Sequence, residues 1–259
     1  MAVIMFGNYI SNGDLYTMRL FDIPEAEDCQ IWIDFDGTIS QKDVLDELIF
    51  RFSVDDSWKQ LEKDWRENKI GSRKCLEGEF DLLRVSVDEI NEVLDSIKID
   101  KGLFEILELA SEHSVPITIL SDGVDIFIKR ILSANGITNL NIKSNSAILE
   151  NNRVQLVCPN SNPMCDAGSA HCKCSSMEKL GDSRKKNIYI GDGRSDLCPS
   201  RKADVVFAKK VLADNLRAED YDFIEYETLA DVSLCLSDSW EAAVAAEQKV
   251  HPAFADSII

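Results

Sequence analysis

The stretch Gln30-Ile31-Trp32-Ile33-Asp34-Phe35-Asp36-Gly37-Thr38 decides how the chain is read. It begins as a short apolar run and ends in two carboxylates, a glycine and a hydroxyl. A run of this kind fits a strand buried on both faces of a parallel sheet. Its polar end then falls at the carboxyl end of the strand, where open α/β sheets place their chemistry. An EF-hand loop also begins with acidic residues at alternate positions, but it needs glycine at its sixth position and Glu at its twelfth. Here Gly37 comes fourth and a strand precedes it, which disfavours the calcium-loop reading.

Beyond this strand the periodicity changes twice. From about Gln41 to about Lys98 it is helical: Val44, Leu45, Leu48, Ile49 and Phe52 make one apolar stripe, and Leu76, Phe80 and Leu83 another. Alternation then resumes, with a helix expected near Leu103 to Ala110, a strand over Pro116 to Leu120, and a helix over Val124 to Ala134. Further strands are expected at Asn187 to Ile190, Val205 to Phe207 and Phe223 to Tyr226, with a hairpin in Asn141 to Val157 turning at Glu150-Asn151-Asn152. Such βα alternation implies an α/β fold, a doubly wound and mostly parallel sheet, with a small helical cap inserted after the first strand. The expected division is an N-terminal extension (1–29), a core (30–41 and 99–240), the cap (42–98) and a C-terminal tail (241–259).

Composition narrows the function classes. A formal charge of −18, with Asp and Glu scattered along the chain, argues against partners such as nucleic acid or an anionic membrane surface. No apolar run is long enough to span a bilayer, and the first residues lack a basic n-region, so a cytoplasmic location is the expectation. Four of the eight cysteines, Cys29, Cys75, Cys198 and Cys235, are scattered singly, which favours reduced thiols. Cys158, Cys165, Cys172 and Cys174 cluster around His171, but without the paired CxxC knuckles of a zinc site; structural zinc and free thiols both stay open. His113 and His251 read as surface residues.

Three strand ends carry polar clusters: Asp34 to Thr38, Ser121-Asp122-Gly123, and Gly191 to Asp196 (GDGRSD). Each alone would pass for a helix cap or solvated turn. Together, in a doubly wound sheet, they converge on one crevice and bring up to four carboxylates into it. Like charges so close require a cation or shared protons, and a hard divalent ion with oxygen ligands, Mg²⁺ first, answers that need.

With these motifs the chain resembles the haloacid dehalogenase (HAD) superfamily of phosphohydrolases over about Gln30 to Asp238. DFDGT looks like that family's first motif, Ser121 its second, Lys173 its third and GDGRSD its fourth. The helical insert resembles the cap of the phosphoserine phosphatase-like branch. More narrowly, Cys158 to Lys173 and the run GDGRSDLCPSRKADVVFAK look like the methionine-salvage phosphatases, which act on 2-hydroxy-3-keto-5-methylthiopentenyl-1-phosphate. The resemblance implies a magnesium-dependent phosphatase acting on a small phosphorylated metabolite, in which Asp34 is the nucleophile, forming an aspartyl phosphate, and Asp36 the general acid and base. Mg²⁺ would be held by Asp34, the Asp36 carbonyl and Asp192; phosphate by Ser121, the amides of Asp122 and Gly123 at a helix start, and Lys173. Asp196 would orient Lys173 or a water on the metal, the alternative being a helix N-terminal carboxylate. For Lys173 the alternative is a solvated surface lysine. In the cap, Asp43 is the position chosen for a substrate contact, unless it only caps its helix. Where phosphoserine phosphatases carry a carboxylate-binding arginine, this chain places Glu79, which argues against phosphoserine. A phosphotransferase on the same scaffold and a non-catalytic binding protein are the competing classes.

Overall fold

The computed structural model describes residues 23–250, with side chains to Glu241. Among these, seven strands, β1 (Cys29–Ile33), β2 (Ile117–Val124), β3 (Asn141–Glu150), β4 (Arg153–Val157), β5 (Lys186–Gly191), β6 (Val205–Ala208) and β7 (Ile224–Glu225), form one sheet in the order β4-β3-β2-β1-β5-β6-β7. Every neighbouring pair is parallel except β3 with β4. The strand order reverses at β1, whose two neighbours are β2 and β5, so the crevice forms at its carboxyl end.

Alternation along β1 sends its side chains to two apolar layers. Ile31 and Ile33 join the large core that also holds Leu103 and Ile106 of α5 (Gly102–Glu112), Ile128 and Ile131 of α6 (Asp125–Ala134), and Leu229, Val232 and Leu236 of α10 (Leu229–Val250). Trp32 points the other way, onto Met177 of α7 (Lys173–Leu180) and Tyr189 of β5. On that side Val206 of β6 packs with Leu212 and Leu216 of α9 (Lys210–Ala218). A fully buried side chain of this size contributes about 1.5–3 kcal/mol, so β1, buried at all five positions, is the spine of the molecule.

The cap is four helices between β1 and β2: α1 (Val44–Phe52), α2 (Trp58–Arg66), α3 (Ser72–Leu82) and α4 (Val87–Ser96). α4 opens with a reciprocal capping box between Ser86 and Glu89. α1, α3 and α4 bury Leu48, Phe80, Ile90 and Leu94 in the large core, whereas α2 buries none of its residues. The outgoing and returning chains run side by side: Gln41 N donates to Lys98 O at 2.9 Å, and Asp100 N to Ile39 O at 2.8 Å.

The β3–β4 hairpin turns at Asn151 and Asn152, whose φ values of 53° and 57° are the left-handed pair of a two-residue hairpin turn. β2 runs further than its apolar residues suggest, through Ser121-Asp122-Gly123 to Val124, with its pairing to β3 interrupted between Leu120 and Val124. α6 therefore starts only at Asp125, and the Gly123 amide does not open a helix as the sequence suggested.

Ahead of β1, Ile23 packs on the core and the carbonyl of Pro24 accepts from Trp240 Nε1 at 3.1 Å. Residues 1–22, most of the expected extension, lie outside the described residues, as does His251. α10 continues from Leu229 through the start of the expected tail to Val250. His113 is half-buried, not a bare surface residue, with its ring 5.3 Å from that of Trp240. Among the described residues no helix is long and apolar enough to cross a membrane.

Candidate active site

The amide of Asp34 donates to the Ile190 carbonyl at 2.9 Å, so the ends of β1 and β5 are tied at the point where both turn polar. This bond sets Asp34 beside Asp192. Gly37 has φ +77°, and a side-chain carbon there would lie 2.3 Å from Asp192 Oδ2; only glycine lets the first motif pass so close to the fourth. Thr38 Oγ1 donates to Asp192 Oδ1 at 3.3 Å.

Carboxylate oxygens of Asp34, Asp192 and Asp196 all lie within 4.8 Å of one another, and all three residues are buried. Asp196 is fully engaged: Oδ1 accepts from Lys173 Nζ and Tyr189 Oη, each at 2.6 Å, and Oδ2 from the amides of Asp192 and Gly193 at 3.0 and 2.9 Å. Its carboxylate folds back to the strand end and, by accepting from the Gly193 amide, also caps the short 3₁₀ turn Arg194–Asp196. Lys173, 3% exposed, is no solvated lysine: Nζ also donates to Asp34 Oδ1 at 2.5 Å. Burial alone would lower its pKa, but Asp196 and Asp34 outweigh that and raise it. For Asp34, burial first and Asp196 second push the carboxyl well above the usual range, against the pull of Lys173.

Asp36 faces the other way. Its Oδ1 accepts from the Val44 amide at 3.0 Å and its Oδ2 from Ser121 Oγ at 3.3 Å. Burial, then the nearby Asp43 carboxylate, push its pKa up to about 8. Ser121 Oγ in turn accepts from the Gly123 amide at 2.8 Å. Asp122 joins three segments: its Oδ1 accepts from the His171 amide at 2.8 Å and its Oδ2 from Ser72 Oγ of α3 at 3.0 Å, while its backbone carbonyl accepts from Asn145 Nδ2 of β3 at 2.6 Å.

Above these groups lies a cavity of about 320 Å³, lined below by Asp34, Asp36, Asp122, Gly123 and Asp192 and above by cap residues. Small-molecule sites start at about this size. The cap lining mixes acids (Asp43, Asp46, Glu62, Glu79) with Trp65, Leu76 and Phe80. Asp43 lines the cavity and caps α1, accepting from the amides of Leu45 and Asp46 at 2.9 and 3.1 Å. The protein atoms packed around this solvent-exposed carboxyl first, and Asp46 next, push its pKa up to about 7. Glu79, buried at 6% exposure, is pushed up to about 8, burial leading.

Residues 29–226 match the family model described as "Putative Phosphatase". The chain belongs to this phosphatase family. Its relatives include the 2-hydroxy-3-keto-5-methylthiopentenyl-1-phosphate phosphatases of Brevibacillus brevis, 27% identical over 78% of this chain and 92% of that protein, and of Lysinibacillus sphaericus, 31% identical over 69% and 81%. Among solved structures, a substrate-bound phosphoserine phosphatase complex superposes with a TM-score of 0.62 at 19% identity, covering 82% of this chain and 98% of that one. The fold is the HAD-type α/β core with its helical cap, and the chain is a phosphoric monoester hydrolase.

Around the phosphatase's cavity, several supporting residues carry little sequence signal of their own. Tyr189 sits in a plain strand run, yet its hydroxyl completes the coordination of Asp196. His171 was noted only as part of the cysteine cluster. Its Nδ1 lies 2.9 Å from the Ser121 carbonyl and its Nε2 2.7 Å from Ser176 Oγ, tying the second motif to α7. Lys210 Nζ donates to Asp192 Oδ2 at 2.9 Å and to the Gly37 carbonyl at 3.1 Å. The dipeptide Lys209-Lys210 after an apolar strand was the one available hint. The cysteine cluster also regroups: Cys158 has Arg73, Glu77 and Asp122 as its charged neighbours, Cys165 neighbours Cys172, and Cys172 and Cys174 neighbour Cys198. All eight thiols are free.

Proposed function

We propose that this phosphatase hydrolyses a small phosphomonoester in two steps through an aspartyl phosphate, with Asp34 as nucleophile. The observation that carries this reading is the buried chain Asp34–Lys173–Asp196 beside an Asp36 whose pKa is raised to about 8. In the first step an Asp34 oxygen attacks phosphorus and the bond to the leaving alkoxide breaks. Asp36, protonated near neutrality, gives that alkoxide its proton. In the second step Asp36 takes a proton from water, which attacks phosphorus and displaces the Asp34 carboxylate, releasing inorganic phosphate. Lys173 holds Asp34 in place and supplies positive charge, and the Ser121 hydroxyl and the amides of Asp122 and Gly123 receive the phosphoryl oxygens.

The donor set fits Mg²⁺. Three carboxylates (Asp34, Asp192, Asp196) meet two ammonium groups (Lys173, Lys210), and every ligand atom they offer is a hard oxygen. The Asp34 and Asp192 carboxylates and the Asp36 carbonyl would hold the ion, which supplies charge that offsets repulsion between Asp34 and the phosphate. That same charge would bring Asp34 to its ionised, nucleophilic form despite burial.

For the substrate, the named relatives support the methionine-salvage phosphate. The apolar cap lining (Trp65, Leu76, Phe80) suits an uncharged thioether chain, and Asp43 is placed to meet its polar groups, whereas Glu79 offers no positive charge to hold the carboxylate of phosphoserine. A cytoplasmic setting and small-molecule partners, rather than nucleic acid or membrane, go with this reading.

The test is phosphate release from a panel of phosphomonoesters that includes 2-hydroxy-3-keto-5-methylthiopentenyl-1-phosphate, with Mg²⁺ or with EDTA. Release should require the ion and vanish in Asp34→Asn. Equal release by that variant would end the nucleophile assignment, and transfer to competing alcohols in place of water would make the protein a phosphotransferase.

A further inference from the structure

The phosphate-binding end of β2 is a break in the sheet. Between Leu120, opposite Lys143, and Val124, opposite Asn145, β2 carries Ser121, Asp122 and Gly123 where β3 carries only Ser144, so the ladder cannot hold all of them. Side chains take over that task. Asn145 Nδ2 donates to the Asp122 carbonyl at 2.6 Å, and the imidazole of His171 meets the Ser121 carbonyl, with Nδ1 2.9 Å from that oxygen. His171 is buried, and its Nε2 lies 2.7 Å from Ser176 Oγ in the first turn of α7. Its amide also donates to Asp122 Oδ1 at 2.8 Å, so main chain and both ring nitrogens are all engaged.

We propose that His171 is a positioning residue for phosphate: its Nδ1–H holds the Ser121 carbonyl and thereby aims the peptide whose other end is the Asp122 amide. This rests on the reading of Ser121 and Asp122 as phosphate-binding groups given above, and deepens it. A carbonyl oxygen only accepts, so Nδ1 carries the hydrogen, and Nε2 of the neutral ring accepts from the Ser176 hydroxyl. Burial, the largest influence on the ring, lowers its pKa and favours this neutral form. The peptide between Ser121 and Asp122 is planar and trans, so its C=O and N–H point in opposite directions. Drawing the carbonyl toward His171 turns the Asp122 N–H away from it, and the same hold fixes where Ser121 Oγ stands against Asp36.

His171 also precedes the third motif by one turn of chain, yet Lys173 has holds of its own. Its Nζ donates to Asp34 and Asp196, and α7 packs Met177 with Trp32. Ser121, Asp122 and Gly123 bring no apolar side chain to the core, so loss of the ring is felt first at the bulge. Two substitutions separate the ring's two contacts. Asparagine can set its amide nitrogen, a donor, where Nδ1 stands, whereas glutamine reaches to the place of Nε2. Both keep the main-chain bond from residue 171 to Asp122.

The test compares His171→Ala, His171→Gln and His171→Asn with the wild type, each first checked for folding by urea denaturation. Phosphate release is measured with Mg²⁺, and binding of inorganic phosphate by calorimetry in the same buffer. Ala and Gln should lower kcat by about 10–100-fold, while Asn stays within about 3-fold of the wild type. Phosphate affinity should follow the same order. In the nitrogen NMR spectrum of the wild type, the ring signal that disappears in His171→Asn should show its hydrogen on Nδ1. Wild-type kcat and phosphate affinity in His171→Ala would overturn the proposal, as would a ring hydrogen on Nε2 alone. Rescue by Gln rather than Asn would overturn it by placing the ring's action on Ser176, and equal losses in all three variants would reduce His171 to a packing residue. Should Ala and Gln fail to fold, the rate of the Asn variant and the ring spectrum still decide. Failure of the wild type to release phosphate would count against the catalytic reading alone, since phosphate binding is read by heat.

Discussion

The floor and the roof of the cavity are both acidic, but they are built by different forces. On the floor every carboxylate is held by specific donors: Asp34 by Lys173, Asp36 by Ser121 and the Val44 amide, Asp196 by four groups at once. On the roof, Glu79 is buried with no ion pair among the described residues, and Asp43 accepts from backbone amides. The floor is a fixed electrostatic device, intolerant of change. The roof is a packed apolar layer in which the buried Glu79 bears a desolvation cost, while Asp43 and Asp46 stay open to solvent and free to answer to a substrate.

The largest effect should come from the floor's nucleophile. Asp34→Asn should cut kcat by at least about 10⁴-fold with the fold retained, checked by phosphate release alongside circular dichroism. Next, Lys173→Met leaves Asp34 and Asp196 buried without their cation and should destabilise the fold by about 3–5 kcal/mol, measured by urea denaturation. A variant as stable as the wild type would remove the distinction between floor and roof.

The roof predicts the opposite sign. The folded-state pKa of Glu79, about 8, is raised above its unfolded value, so between the ordinary Glu range and pH 8 the folded state binds a proton that the unfolded state has lost. Its contribution to stability therefore falls as pH rises through that window and levels off above it. Glu79→Gln should be more stable than the wild type by a margin that grows with pH, by up to about 1 kcal/mol per unit, in melts between pH 5 and 9. A margin independent of pH would show Glu79 paired after all. The smallest effect belongs to the link between roof and floor. Arg194 lies over the Trp65 ring at 5.7 Å and donates to Asn68 Oδ1 at 2.8 Å. Arg194→Ala should cost about 0.5–1 kcal/mol, seen as a modest rise in KM with kcat nearly unchanged.

The two regions also differ in how far they could be read in advance. Asp34, Asp36, Ser121, Asp122 and Asp192 were legible because each stands at the end of an apolar run, and strand ends in a parallel sheet point one way. The third-motif lysine was harder, since Lys173 sits in an irregular cysteine-rich stretch with other lysines following; only its burial separates it from them. Ser121-Asp122-Gly123 was placed correctly but read as a helix start. The stretch stays extended because its hydroxyl, carboxylate and backbone bond to Asp36, His171, Ser72 and Asn145, contacts from distant parts of the chain that outweigh local preference.

What the sequence by itself determined is the alternation of apolar runs and amphipathic stripes, and with it the parallel sheet, the inserted helices and the polar strand ends. These are local properties, set by the two-residue and 3.6-residue periods of the backbone. Tertiary structure alone decided which groups pair around the site: Tyr189 with Asp196, Lys210 with Asp192, Ser72 with Asp122. The physical reason is range. A hydrogen bond or ion pair acts over a few ångströms in space and carries no trace in the spacing along the chain, so it is settled only once the sheet has brought its strand ends together.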